Sequence, residues 1–206
     1  MNLSENLSTG LEQLKLTLSV AQQRSLLEYI ALLQKWNKVY NLTAVREPEN
    51  MLYQHLLDSL AVLPYIGTGR LLDVGTGGGV PGIVLAIARP DLDITLLDSN
   101  QKKTTFLRQV CIELMLKNVK VECVRVDDYK PSPAFDMVIS RAFSELSEFV
   151  RLSAHLCLSG GKLLAMKGIY PHDELAQLPS RFLQHEVVAL SVPGLDAQRH
   201  LVILRV

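Results

Sequence analysis

The spacing of apolar residues changes near residue 67 of this chain. Before that point it is helical. Ser19 and Gln22 form a capping box, and the stretch that follows places Leu26, Tyr29, Ile30, Leu33, Trp36 and Tyr40 at steps of three and four, which predicts an amphipathic helix ending near "YNLTAVREP". Asn41, Thr43 and Pro48 break the pattern there, and a second helix is expected over about 49–65, with Leu52, Leu56, Leu60 and Leu63 as its apolar stripe. Residues 1–66 therefore read as an all-helical cap.

Beyond "IGTGR" short apolar runs alternate with helical stretches. The runs are "RLLDVG", "ITLLDS", "VKVECVRV", "FDMVIS", "KLLAMK", "VVALSV" and "HLVILRV", and helices are expected over 80–89, 100–117, 144–157 and 172–182. Strand and helix in alternation mean an α/β domain, here 67–206, whose mostly parallel sheet of about seven strands is covered on both faces. Only "PGLDAQ" separates the last two strands. So short a connection joins antiparallel neighbours and cannot form a parallel crossover, so the last strand is expected to run antiparallel. A dinucleotide-binding domain would continue with another crossover helix instead.

One segment carries the chemistry. "LLDVGTGGGVPGI" runs from the first strand into a glycine-rich turn, and two fingerprints fit it. Gly77-x-Gly79-x-x-Gly82 matches a dinucleotide pattern, whereas Asp73-x-Gly75-x-Gly77-x-Gly79 matches a nucleoside-binding methyltransferase. A carboxylate at Asp73 suits an ammonium group, directly or through water, and suits a pyrophosphate badly. Asp98 ends the second strand, where an acid can accept both hydroxyls of a ribose. Val126 and Asp127 end the third, where backbone and carboxylate can meet an adenine edge, and Arg141 ends the fourth at the mouth of the cleft. Taken together, these strand ends favour S-adenosylmethionine. A nicotinamide-dependent oxidoreductase would use Gly77, Gly79, Gly82 and Asp98, but no hydride-relay residues are evident. A non-catalytic RNA-binding or ribosome assembly factor with a retained nucleoside pocket is the other alternative.

Composition narrows the classes. With 48% hydrophobic residues the chain can bury a large core, and its longest apolar runs, such as Ile83 to Ala88, fall short of the roughly 20 residues a bilayer span requires. "MNLSENLSTG" has no basic cluster leading into an apolar core, so a cytoplasmic location is expected. Cys111, Cys123 and Cys157 are odd in number and lack a C-x-x-C spacing, which argues for reduced thiols and against a disulfide framework or a metal site. Lys+Arg and Asp+Glu are 21 each, so any RNA contact must rest on a local patch.

The blocks "WNKVYNLTAVRE", "HLLDSL", "LLDVGTGGGVPGI", "LLDSNQKKTTFLRQV", "FDMVISRAF", "AMKG" and "RHLVIL" resemble the ribosomal small-subunit methyltransferase G family, also called glucose-inhibited division protein B. The resemblance implies a class I S-adenosylmethionine-dependent methyltransferase, Rossmann-like, that methylates N7 of one guanosine in the 530 loop of 16S ribosomal RNA, conventional position 527. It further implies a 30S subunit or assembly intermediate as partner, no membrane, and a monomer. By motif the cofactor site would use Gly75, Gly77, Val80, Val126, Asp127 and Arg141, with Asp98 on the ribose. Lys35, Lys38, Arg46, Lys167, Arg199 and His200 are the residues expected to face RNA.

Guanine N7 carries a lone pair and no hydrogen, so in-line attack on a sulfonium methyl needs no general base. Alignment and exclusion of water are what remain to be supplied. N7 lies in the deep major groove of A-form RNA, so the target is expected to be unpaired or flipped out. Arg141 is a candidate for holding the guanine O6 edge or the cofactor, and Phe143 for stacking on a base or joining the core.

Overall fold

The computed structural model describes residues 2–206 except Ala142, Ser144, Leu183 and Gln184. The chain opens with a helix absent from the expectation above, α1 (Leu3–Gln13), begun by a capping box between Asn2 and Glu5. Helix α2 (Val20–Tyr40) starts from the expected Ser19 and Gln22 box and ends at Asn41, whose φ of 50° is left-handed. Gln22 also donates through Nε2 to the carbonyls of Ile87 and Ala88, each at 3.0 Å, and so ties the cap to the domain.

The second expected helix is a composite. Short α-helical pieces α3 (Pro48–Met51) and α4 (Asp58–Leu60) flank a π-helical turn over Leu52–Leu57, and a 3-10 turn follows at Leu63–Tyr65, where Pro64 sits. Its burial is wider than one stripe: Met51, Leu52, His55, Leu56, Leu57, Asp58, Ser59 and Leu60 are all buried. The segment lies inside the molecule, between α1 and α5 (Gly82–Ala88), rather than along a surface.

Seven strands follow, β1 (Arg70–Val74), β2 (Asp93–Leu97), β3 (Val119–Glu122), β4 (Phe135–Ser140), β5 (Cys157–Lys167), β6 (His185–Ala189) and β7 (His200–Arg205). They form one sheet in the order β3-β2-β1-β4-β5-β7-β6. The first five are parallel, and β7 runs antiparallel to both β5 and β6, as the short final connection requires. The remaining helices are α6 (Gln101–Glu113), α7 (Leu146–Ser153) and α8 (His172–Ala176). Most helices are shorter than expected. Met115 turns left-handed beyond α6, the chain tightens to 3-10 over Ala154–Leu156, and Pro179 precedes a separate 3-10 turn at Ser180–Phe182. Ser144, the expected start of α7, lies outside the described residues. Strand β3 stops at Glu122, so Val126 and Asp127 fall on a 3-10 turn over Val126–Asp128 instead of the strand itself.

Alternation along β1 sorts its side chains between two cores. Leu71 packs with the cap, α5 and α6, whereas Leu72 and Val74 pack with α7 and the turn beyond α8. Cap and sheet face thus share one continuous apolar cluster. Strand order reverses between β1 and β4, the position at which open α/β sheets bind ligands beyond their strand ends. Among the described residues no helix is long and apolar enough to cross a membrane. Cys111 is half-buried, Cys123 exposed and Cys157 buried, all as free thiols.

Candidate active site

The glycine turn leaves β1 with left-handed φ angles of 68° at Gly75, 59° at Gly77 and 98° at Gly79. Such angles are strained for L side chains. Its anchors are carboxylates and carbonyls already in the sheet. Gly75 and Thr76 donate their N–H groups to Leu97 at 2.8 and 3.2 Å, and Gly77 donates to Asp98 Oδ2 at 3.0 Å. Asp98 Oδ1 accepts from Asn100 at 2.8 Å, and Lys103 approaches Oδ2 at 3.7 Å. A side chain at Gly77 would meet no protein atom closer than 3.9 Å, so the space above the turn is open.

Asp73 occupies a different place from the one its sequence context suggests. It is fully buried beneath the turn, and its Oδ2 accepts the N–H of Gly82 at 2.8 Å, the first residue of α5. A Cβ at Gly82 would stand 2.6 Å from that oxygen. The carboxylate lines neither neighbouring cavity. Burial pushes its pKa up to about 6, and its Oδ1 has no partner among the described residues.

Two concavities meet at the turn and a third adjoins them. The first, of about 320 Å³, is lined by Gly75, Asp98, Val126 and Asp127, together with Phe143, Lys103 and Arg151. Phe143 is thus both an edge of the core, packed 5.4 Å from Phe149, and a wall of this cleft. The second, of about 220 Å³, lies over the turn between Leu33, Leu42, Thr43, His55, Val80 and Arg141, and shares Gly75 and Lys103 with the first. The third, of about 360 Å³, continues past His55 and Arg141 to Asp58, Lys167 and Arg199. A larger groove of about 570 Å³, bounded by Tyr65, Lys162, His185 and Arg205, opens at the amino ends of the parallel strands, away from these residues.

The cap builds the roof. Asn37, buried in α2, takes the Thr43 N–H at 2.9 Å through Oδ1 and donates to the Thr43 carbonyl at 3.0 Å, which folds the loop after α2 over the glycines. Tyr29 donates its hydroxyl to the Gly78 carbonyl at 2.7 Å. Burial raises the pKa of that phenol, so it remains a donor.

His55 forms the inner wall. Burial, then the Arg141 charge, push its pKa down to about 4. The ring is therefore neutral, with Nδ1–H donating to Gln54 O at 3.0 Å and Nε2 accepting from Thr43 Oγ1 at 2.9 Å. Thr43 Oγ1 in turn accepts from Val45 N–H at 3.2 Å. Arg141 Nη1 donates to Gln54 O at 2.8 Å and to Asp58 Oδ2 at 3.2 Å, bridging cap and sheet.

The residues expected to face RNA separate into two sets. Lys35, Lys38 and Arg46 are exposed around the loop after α2. Lys167 is paired with Glu174 at 2.6 Å, Arg199 with Asp58 at 2.9 Å, and His200 is buried with Nδ1–H on Gly168 O at 2.8 Å.

The model of the family described as rRNA small subunit methyltransferase G matches residues 22–202. The chain belongs to this family. Within the methyltransferase G relatives, the Laribacter hongkongensis protein named Ribosomal RNA small subunit methyltransferase G is 57% identical over 98% of each chain. The Chromobacterium violaceum protein of the same name is 57% identical over 95% of this chain and 94% of its own. Among solved structures, the tRNA (m1A58) methyltransferase TrmI of Aquifex aeolicus superposes with a TM-score of 0.59 at 17% identity, covering 72% of this chain and 68% of that one. A SAM-dependent methyltransferase of the same organism gives 0.57 at 18% identity, over 84% and 98%. These likenesses show the class I methyltransferase fold, and membership in the methyltransferase G family favours neither the oxidoreductase nor the non-catalytic alternative.

His55, Asp58 and Tyr29 are site residues that reasoning from sequence missed. The signal for His55 and Asp58 was the block "HLLDSL", in which His55, Asp58 and Ser59 interrupt an otherwise apolar helical pattern.

Proposed function

We propose that this protein methylates N7 of a single guanosine in the 530 loop of 16S ribosomal RNA, conventional position 527, in the 30S subunit or an assembly intermediate of it, using S-adenosylmethionine. The observation that carries the reading is the continuity of two cavities. The cleft of Asp98, Val126 and Asp127 shares Gly75 and Lys103 with the smaller pocket under Arg141, so a nucleoside cofactor and a second planar base can lie end to end.

The donor set fits the cofactor. The open space above Gly77, with Gly75 lining the cleft, leaves room for a backbone-hugging ligand, Asp98 offers carboxylate lone pairs to ribose hydroxyls, and Val126, Asp127 and Phe143 border the adenine end. S-adenosylmethionine supplies a methyl group on a positively charged sulfur when bound.

In the second pocket Leu33 and Leu42 exclude water from the reacting atoms, and Arg141 can donate to the guanine O6 edge. His55, neutral and engaged on both nitrogens, takes no proton, in keeping with a lone-pair nucleophile that has none to give. Asp58, buried behind Arg141, holds that guanidinium in place at the pocket wall. Lys35, Lys38 and Arg46 then serve the RNA backbone from the exposed rim.

The test is to incubate the protein with radiolabelled S-adenosylmethionine and 30S subunits from cells lacking the gene, then locate the label by borohydride reduction and aniline cleavage. One site in the 530 loop is expected. Label on an exocyclic amine, on ribose, or nowhere would refute the function. Arg141→Ala separates that residue's roles: lost turnover with intact cofactor binding assigns it to the RNA, and parallel loss assigns it to the cofactor.

A further inference from the structure

The carboxylate of Asp58 holds two guanidiniums from one edge of the sheet, Arg141 just after β4 and Arg199 just before the antiparallel β7, with β5 between them. Oδ2 accepts from Arg141 Nη1 at 3.2 Å and Oδ1 accepts from Arg199 Nε at 2.9 Å. The exposures are unequal in an informative way. The Asp58 side chain is 2% exposed, while those of Arg141 and Arg199 are 30% and 25% exposed. The anion thus lies beneath and the cations lie above it, facing the cavity of about 360 Å³ that Lys167 and Gly168 also line.

We propose that Asp58 is a positioning residue for RNA: it fixes Arg141 and Arg199 side by side so that their outward N–H groups grip the phosphate backbone next to the guanosine being methylated. This rests on the function proposed above. Two guanidiniums on one carboxylate leave a positive charge uncompensated, and a guanidinium carries five donors, more than the contacts to Asp58, Gln54, His55 and Gln198 consume. Planar, doubly donating cations are suited to phosphate oxygens. Without the shared anion the two would repel each other and separate.

Local backbone supports the same assignment. Asp58 follows directly on the π-helical turn Leu52–Leu57, and that turn presents the Gln54 carbonyl to Arg141 at 2.8 Å. Single π turns recur at functional sites because they redirect backbone groups that an α-helix would consume. Ser59, next in sequence, gives its hydroxyl to the His55 carbonyl at 2.6 Å and closes the turn. The helical cap therefore supplies both anchors of an arginine that projects from β4.

A double-mutant cycle tests the proposal with the full chain and 30S particles, using Asp58→Asn, Arg199→Met and the pair. Asp58→Asn is expected to raise KM for the particles roughly tenfold or more and to flatten the salt dependence of binding, while S-adenosylmethionine affinity by calorimetry stays within about twofold. The double variant is expected to bind particles no more weakly than Arg199→Met alone, and removal of one cation should restore any melting temperature lost by Asp58→Asn. Unchanged KM in Asp58→Asn, a parallel loss of cofactor affinity, or additive effects in the pair would each overturn the positioning role while leaving the methylation intact. Absence of methyl transfer by the wild-type protein would instead overturn the function and the positioning role together.

Discussion

The hydroxyl of Tyr29, in the second cap helix, donates to the carbonyl of Gly78 at 2.7 Å, so the cap holds the glycine turn directly. Tyr29 is fully buried, and its removal would orphan a carbonyl that water cannot reach. Tyr29→Phe is expected to cost roughly 1–3 kcal/mol of stability by loss of a buried hydrogen bond. For a chain of this size each kcal/mol lowers Tm by about 2–4 °C. Thermal unfolding followed by circular dichroism reads the difference, and an unchanged Tm would show that the turn keeps its shape without the cap.

Gly77 separates turn geometry from cofactor binding. Its φ of 59° is strained for alanine at roughly 1–2 kcal/mol, yet a methyl there meets no protein atom within 3.9 Å and projects into the open cleft. Gly77→Ala is expected to fold with a modest loss of Tm and to bind S-adenosylmethionine at least about tenfold more weakly, a cost of about 1.4 kcal/mol. Calorimetric titration giving wild-type affinity would place the ligand elsewhere.

Asp98 stands at the other side of the same cleft. Asp98→Ala is expected to weaken S-adenosylmethionine by roughly 1–3 kcal/mol, through the ribose contact and through release of the Gly77 N–H that the carboxylate now holds at 3.0 Å. Asp98→Asn should fall between the two, because its amide oxygen still accepts one bond. Equal affinities for all three proteins would remove Asp98 from the site.

Two separate buried titratable groups shape the acid limb of stability. His55 has a folded pKa of about 4, below its usual value near 6.5, so the unfolded chain takes up that proton first and stability falls as pH drops from about 6.5 to 4. Asp73 acts oppositely: with a folded pKa of about 6, raised by burial, the native state takes up its proton first and stability rises as pH drops from about 6 towards 4. The two effects offset each other in the wild-type protein. His55→Gln removes only the first, so its stability relative to wild type, from urea unfolding, should improve by roughly 2–3 kcal/mol between pH 7 and pH 4. A pH-independent difference would mean that His55 protonates freely in the fold.

The methyl-transfer step should show no titration of its own at neutral pH. The imidazole of the small pocket, His55, is already neutral well below that range, and N7 of guanine requires no base. Single-turnover rates on 30S particles are expected to be flat from about pH 6.5 to 8. A sigmoid rise across that interval would mean that a deprotonation precedes transfer, which points to a nitrogen bearing hydrogen as acceptor.

Local patterns carried a large part of this structure in legible form. The capping box at Ser19 and Gln22, the alternation of strands and helices, and the short link before β7 each depend on neighbours within a few residues, and each reappears in the fold. The same capping pattern at Asn2 and Glu5 was equally present in the sequence, although no helix was expected there. Asp98, Val126 and Asp127 converge on one cleft because parallel strands in a single sheet bring their carboxyl ends to one edge.

Contacts between distant segments could not be read that way. Asp58 meets Arg141 across 83 positions and Arg199 across 141, and nothing at any of the three marks the others. Asp73 looked like a ligand of the cofactor because its place before the glycines is fixed by sequence, but which face of β1 it takes, and that Gly82 N–H waits there, follows from the packing of α5 on the sheet. Periodicity and turn chemistry act over a few residues and so determine the elements and the strand ends where chemistry can occur. Burial and charge pairing act through space, and only the assembled layers decide that a helical segment with an interior histidine and aspartate becomes the wall of the site.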